Sequence, residues 1–241
     1  MALTKYQLQT TQLLQNPSAA NPLYSTADII TYINRARRQI AGEHQCIRAL
    51  GNLALTIGNQ VYSYANLNYG TTNSLVAGTF NVRMITVFNG AGQSFIDNVP
   101  FEWFNQYYTA QANPIRGIPT VWTQYAQGSL GSLLFYPIPS GNLVTSVDAA
   151  IYPVDLIDDT TIELLPDEWT DAVCFYAAFL ALLSAQNNIR SAESDKMFQR
   201  YQEFGNRARS AATSDVLPFH FEKSGVKYAP NPGGIKPPQG K

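Results

Sequence analysis

At 241 residues the chain is long enough for one large core or two small ones, and only 14% of it is charged, against the roughly 25% usual in soluble domains. Aromatic residues make up 12%, with 14 tyrosines, which suits either a surface covered by partners or a β-rich domain. A net charge of −1 argues against a dedicated DNA-binding domain, and the two cysteines, Cys46 and Cys174, form no CxxC pair and read as reduced core thiols.

In chain order, Leu3 to Leu14 predicts a short helix, and Asn16-Pro17 with Asn21-Pro22 punctuates a loop. Ser25-Thr26-Ala27-Asp28 resembles a capping box, and Ile29, Ile33, Ala36, Ile40 and Ala41 follow at helical spacing. This helix is expected to run to Leu50, with Gly51 as its left-handed cap. The pattern then changes to period two. Leu53–Ile57 and Gln60–Tyr64 flank Gly58-Asn59, which predicts a hairpin. Asn66 to Thr79 reads as a long loop, Val82 to Phe88 as a strand followed by a turn at Asn89-Gly90, and Phe101 to Ala110 as a helix opened by Pro100. Ile118–Tyr125, Leu133–Tyr136 and Val147–Tyr152 predict three more strands, the second ended by Pro137 and Pro139.

Pro166 to Gln186 is expected to form the central core helix. Asp167, Glu168 and Asp171 place negative charge where a helix N-terminus favours it. Ala172 to Leu183 is apolar nearly all round, with Phe175, Phe179 and Leu182 on one face, and is shorter than a membrane span requires. Asn187-Asn188 breaks the run. A last helix, capped by Ser191 or Ser194, carries Met197, Tyr201, Phe204 and Ala208 on one side. From Phe219 onward the chain is rich in Pro and Gly, basic, and short of apolar residues, so it cannot build a core. The expected fold class is α+β. A helical subdomain comes from both chain ends (1–51 and 164–215), an antiparallel β-sandwich or barrel-like subdomain is inserted (52–163), and an extended C-terminal arm follows (216–241).

Few residues suggest chemistry. His44 and His220 have no partners at metal-ligand spacing, and His44 reads as a surface or interface residue. Asn89-Gly-Ala-Gly92 lacks the rest of a dinucleotide fingerprint, and neither a phosphate-binding loop nor a nucleophile elbow occurs. The expectation is therefore no enzyme, no metal and no cofactor. Charge is unevenly placed: residues 117–188 hold eight acids and no Lys or Arg, whereas 190–241 hold nine bases against five acids. In an oligomer such blocks become rings of one sign. Arg35, Arg37 and Arg38 are candidates for contact with a neighbouring subunit's acids or with a DNA backbone. The N-terminus carries no basic segment followed by an apolar one, so no signal peptide is expected, and a cytoplasm fits best.

An ordered set of segments then resembles a known family. Ile-Asn-Arg-Ala at 33–36 is followed by Asn-Gln-Val-Tyr at 59–62, Val82–Phe88, Val-Pro-Phe-Glu-Trp-Phe at 99–104 and Gly-Ile-Pro-Thr-Val-Trp at 117–122. Leu-Leu-Phe-Tyr-Pro-Ile-Pro at 133–139, Leu-Leu-Pro-Asp-Glu-Trp at 164–169 and a charged helix around Asp195–Tyr201 complete it. The succession, over roughly Thr26 to Arg207, resembles the head-to-tail adaptor (connector) proteins of short-tailed bacteriophages, which sit below the portal. The resemblance implies a virion structural protein of the neck, assembled in the host cytoplasm. It implies a ring, usually of 12 copies, that binds portal and tail or nozzle protein, passes DNA without sequence-specific contacts, and touches no membrane. It implies that the C-terminal arm docks on the portal, with Phe219, Phe221, Lys223, Lys227, Tyr228 and Lys236 as its contact residues. Asp155, Asp158, Asp159 and Glu163 are then expected to line the channel and repel DNA phosphates. The alternative is a β-sandwich receptor-binding or decoration protein of a virion.

Overall fold

The computed structural model describes residues 2–15, 23–89, 92–109, 114–126, 130–185 and 191–212. The loop at Asn16-Pro17 and Asn21-Pro22, Gly90 of the Asn89-Gly90 turn, the Asn187-Asn188 break, His220 and the whole arm from Phe219 lie outside them.

Helix α1 (Ala2–Leu13) buries Leu3, Tyr6 and Thr10. Helix α2 (Thr26–His44) starts as its sequence predicts. Ser25 Oγ accepts from the Asp28 N–H at 3.1 Å and donates to the Asp28 carboxylate at 2.6 Å, satisfying an orphan donor of the first turn. It stops earlier than expected. Gln45 takes the left-handed conformation (φ 49°) and its N–H closes on the Ala41 carbonyl. Arg48–Leu55 is already the first strand, β1, so Gly51 is a strand residue and not a helix cap. A Cβ at Gly51 would lie 2.9 Å from the Tyr69 ring, so the close approach of that ring explains a glycine there.

Strands β1, β3 (Val76–Asn89), β4 (Gly92–Phe95) and β10 (Leu143–Pro153) form one sheet in the order β1-β10-β3-β4. Strands β2 (Val61–Ser63), β5 (Asp97–Asn98), β7 (Val121–Tyr125) and β8 (Ser132–Tyr136) form a second in the order β2-β8-β7-β5. Pairing is antiparallel except for β5 with β7 and for the two-residue pair of β6 (Arg116–Gly117) with β9 (Ile138–Pro139). The expected hairpin across Gly58-Asn59 is therefore a different object. Gly58 (φ +77°) turns the chain, but it carries it from one sheet to the other: β1 pairs with β10 and β2 with β8. The loop predicted over Asn66–Thr79 is shorter too. A 3-10 stretch spans Gly70–Leu75, and β3 starts at Val76.

The two sheets pack face to face. Leu53, Leu55, Ile85, Val87 and Val147 from the first meet Tyr62, Trp122, Leu133 and Phe135 from the second in one cluster. Alternation along β8 sends Leu134 and Tyr136 the other way, under α3 (Phe101–Phe104) and the π turn Asn105–Thr109 that continues it. The β-rich part is thus three layers: first sheet, second sheet, α3. Gln124 ties the layers to α2. Its carbonyl accepts from Tyr64 Oη and the Val82 N–H, and its amide reaches Asn81, which bonds Gln45.

A 3-10 turn (Asp167–Trp169) leads into α4 (Thr170–Ala185), and α5 (Ala192–Ala212) closes the bundle. Ser191 and Ser194 cap α5 reciprocally, each hydroxyl accepting the other's N–H. Helix α4 packs against α1, α2 and α5. Its deepest face is made of small residues, Ala172, Ala177, Ala178 and Ala181, beside Val173 and Cys174. Of the expected stripe, Phe179 is buried while Phe175 and Leu182 are half-buried, because the alanines let the neighbouring helices in close and the large rings move to the seam with α5. There Phe175 stacks on Phe204 and Phe179 meets Phe198, each at 5.1 Å. The sequence reading put this segment short of a membrane span. With its leading turn it reaches 19 residues, and its packing on three helices, not its length, makes it a core helix.

Candidate functional site

Among the described residues no three His, Cys, Asp or Glu side chains are grouped to hold a metal ion. Both cysteines are free thiols pushed up to about 12 by burial, far from the thiolate form that a nucleophile needs. His44, expected at the surface or an interface, is half-buried with its ring 4.6 Å from Trp169. Burial lowers its pKa, and the ring lies tilted at 39° to the indole.

The three arginines of α2 have different places. Arg37 is 1% exposed. It holds Glu163 through two bonds, Nε to Oε2 at 2.8 Å and Nη2 to Oε1 at 2.7 Å, and its Nη1 donates to Asn34 and to the Val154 carbonyl. Glu163 is half-buried and accepts also from the Leu165 N–H at 2.9 Å. Arg37 is therefore a correction to the sequence reading: its guanidinium is buried and spent within the chain, so it is not free for a neighbouring subunit or DNA, and the carboxylate of Glu163 is engaged by it. Arg35 and Arg38 remain on the surface. With Gln39, Ala77 and Tyr152 they line an open cleft of about 420 Å³, where Arg38 meets Asp155 at 3.1 Å.

The acid-rich connection from β10 to α4 is fastened along its length. Asn34 bonds both the N–H and the carbonyl of Leu156. Asp158 collects the N–H groups of Thr160 and Thr161 into a tight turn. Asp159 accepts from the backbone N–H of Thr4 at 2.9 Å and from its hydroxyl, satisfying the first turn of α1. Asp155, Asp158 and Asp159 are exposed. The Thr4 bonds hold the Asp159 carboxyl below its ordinary range. Since its folded pKa is depressed, the stabilisation is complete above the ordinary carboxylate range and is lost as pH falls through the lowered value. Asp159→Asn is expected to speed hydrogen exchange in α1 near neutral pH, and the difference from wild type is expected to vanish in strong acid. Equal α1 exchange at neutral pH would show that the bond does not hold the helix.

A second feature was missed by the sequence reading. On the outward face of the first sheet, register places Ala54, Val144, Phe88 and Gln93 in one row, Asn52, Ser146, Thr86 and Phe95 in the next, and Leu50, Asp148 and Met84 in the third. Leu50, Met84, Phe88, Phe95 and Val144 are all exposed. The signal was present. Val82–Phe88 is apolar at Met84 and Phe88 as well as at Ile85 and Val87, with only Thr86, which accepts from the Gln93 amide, polar between the outward pair. Outside the second sheet, Trp103, Tyr107 and Tyr125 form an exposed aromatic ridge, with Trp103 4.9 Å from Tyr107 and Phe101 4.5 Å from Tyr125.

Residues 7–218 match the family model described as SU10 adaptor protein. The arm residues Phe219, Phe221, Lys223, Lys227, Tyr228 and Lys236 lie beyond the match as well as outside the described structure. No curated protein matches the chain.

Proposed function

We propose that this chain, which belongs to the SU10 adaptor protein family of phage head-to-tail adaptors, forms a ring of about 12 copies beneath the portal, carries the DNA channel towards the tail, and retains and later releases the DNA. The observation that carries this reading is the family match over residues 7–218, nearly the whole described chain. Membership makes the protein a virion component of the neck that interacts with portal and tail proteins. The low charge and the two exposed apolar faces support a molecule that works inside an assembly. Its role is structural, joining two partners without turning over a substrate.

Within this reading the helical part (α1 and α2 with α4 and α5) and the β-rich part, which begins at Arg48 with β1 rather than at residue 52, act as two subdomains, and rings assemble in the host cytoplasm. Asp155, Asp158 and Asp159 are the channel-lining acids; they repel DNA phosphates so that DNA slides without sticking. Arg35 and Arg38 contact a neighbouring subunit. The arm at 216–241 docks on the portal through its aromatic and lysine side chains.

Mass photometry of the protein, alone and mixed with the portal encoded by the same genome, tests the reading. The expected result is a portal that gains the mass of about 12 chains of 26.6 kDa, and a clear loss of that gain when residues 219–241 are deleted. A protein that ignores the portal and forms a stable trimer would overturn it in favour of a receptor-binding protein.

A further inference from the structure

Strand β3 is flanked on both sides over only part of its length. β10 runs beside it throughout, but β4 covers it only from Thr86 to Asn89, and the Val82 N–H is taken by the Gln124 carbonyl. Among the described residues, nothing bonds the backbone of Val76–Asn81 on the side away from β10. About 20 Å of strand edge is thus left open. The register shifts of β3 against β10 twist this edge without covering it, and an open edge is a template for another strand. A hollow lies on each face beside it. On one face, where Tyr69 bonds Thr79, the residues Tyr64, Leu67, Tyr69 and Val76 line a hollow of about 470 Å³. On the other, where the Phe80 ring packs on Tyr152 at 4.6 Å, lies the Arg35–Arg38 cleft. Thr79 pairs with Ile151 and Gly78 with Tyr152, neighbours in β10 whose side chains point to opposite faces. Ala77 lines both hollows, so the edge runs between them. A strand laid on this edge sends alternate side chains into an aromatic hollow and a basic cleft.

The arm of this chain matches that demand. Phe219–Ala229, between Pro218 and Pro230, is its longest stretch without proline, which a ladder excludes. Alternation puts Phe219 and Phe221 on one face of such a strand and Glu222 on the other. The arm also starts in the right place. Tyr201 of α5 donates to Glu43, and a Cβ at Gly205 would lie 3.3 Å from His44, so the second half of α5 passes over the end of α2. Gly42, Glu43 and Gln45 at that end flank Asn81, the head of the open edge. From Ala212, residues 213–218 span up to about 20 Å, enough to bring Phe219 to Asn81. The strand then runs antiparallel to β3, towards Val76. We infer that Phe219–Ser224 of the arm pairs with the open edge of β3 in its own chain, Phe219 and Phe221 entering the Tyr64–Tyr69 hollow and Glu222 the Arg35–Arg38 cleft. The inference stands apart from the ring reading. Where the two meet, the arm has to leave β3 before it docks on the portal, so portal and β3 compete for the same phenyl rings.

Hydrogen exchange read by mass spectrometry, on the full chain without portal, tests the pairing. Deleting residues 219–241 is expected to speed exchange at least tenfold in the edge amides of Val76–Asn81 and to leave α4, which reports folding, unchanged. Glu222→Pro keeps the arm but removes a ladder donor, and is expected to act like the deletion. If α4 exchange changes in that variant, Phe219→Ser with Phe221→Ser takes its place. Glu222→Arg is expected to free the edge in part, and Arg35→Glu in the same chain is expected to restore its protection. Edge exchange that is the same with and without the arm overturns the inference and leaves the bulges alone to guard the edge. Protection that survives Glu222→Pro overturns it too, since the arm then covers β3 without pairing. Failure of Arg35→Glu to restore protection overturns the placement of Glu222. Protection that falls on dilution overturns pairing within one chain and gives the strand to a second copy. None of these results touches the ring reading, whose failure is read as missing ring mass on the portal.

Discussion

Glu163→Ala is expected to lower the unfolding free energy by about 3–5 kcal/mol, read as a shift of the urea midpoint. Arg37 is 1% exposed and donates four hydrogen bonds, two of them to this carboxylate. Removing Glu163 leaves a guanidinium in the interior with its countercharge gone, and a buried unpaired charge costs far more than the pair contributes. The site is also a junction. Arg37 sits on α2, Glu163 and Val154 on the connection into α4, and Tyr6 of α1 lies close enough that Glu163 adds to burial, the larger cause, in raising its pKa. Glu163→Gln keeps the acceptor and is expected to fall between the alanine variant and wild type. Arg37→Lys keeps the charge but loses the planar fork, so it is not expected to restore stability. The double variant Arg37→Met with Glu163→Met removes both charges and is expected to cost less than Glu163→Ala alone. A loss below about 1 kcal/mol for Glu163→Ala would place the pair in effectively aqueous surroundings.

Phe179→Ala is expected to cost about 3–5 kcal/mol, the range for deleting a buried phenyl ring whose cavity cannot collapse. Phe179 is 6% exposed and lies at the seam of α4 and α5, 5.1 Å from Phe198 and 5.7 Å from Tyr176. Closure of the gap is opposed from behind, where Ala177, Ala178 and Ala181 already hold the neighbouring helices at close range. Phe175→Ala supplies the comparison. Its ring is half-buried on Phe204, so a smaller loss is expected. Equal losses at the two positions, measured by urea denaturation, would show that depth in the bundle does not set the cost.

What the sequence made legible was local. The Ser25–Asp28 cap, the Ser191–Ser194 cap and the acidic entry to α4 are each written within four residues, and each formed as read. Pairing across the chain was not legible. Gly58 announced a turn, but no local feature says that β1 finds β10 some 90 residues on while β2 finds β8. The end of α2 was misread because Gly51 offered a left-handed cap and outweighed Gly42, a poor helix former that argued for an earlier stop, whereas the in-out alternation of Gly51, Leu53 and Leu55 becomes decisive only once a partner strand is known. Arg37 could have been separated from Arg35 and Arg38. It lies four residues after Ile33 and four before Ala41, on the buried stripe, where a charge demands a partner. The partner, Glu163, is 126 residues away and could not be named.

The bundle draws its four helices from the two ends of the chain, and this has a consequence for how the protein is made. When α2 leaves the ribosome, the helix it must lie against is roughly 140 residues from completion, a wait of roughly 10–30 s at ordinary synthesis rates of about 5–20 residues per second. β1 waits roughly two-thirds as long for β10. The native contacts span long stretches of sequence, so loop closure comes before reward and folding is expected to be slow and largely post-translational. Until then the N-terminal segments expose the apolar stripe of α2 in a crowded cell, which makes this chain a natural client for chaperones. It also postpones assembly: no binding surface built across both ends can exist before the last helix has been added.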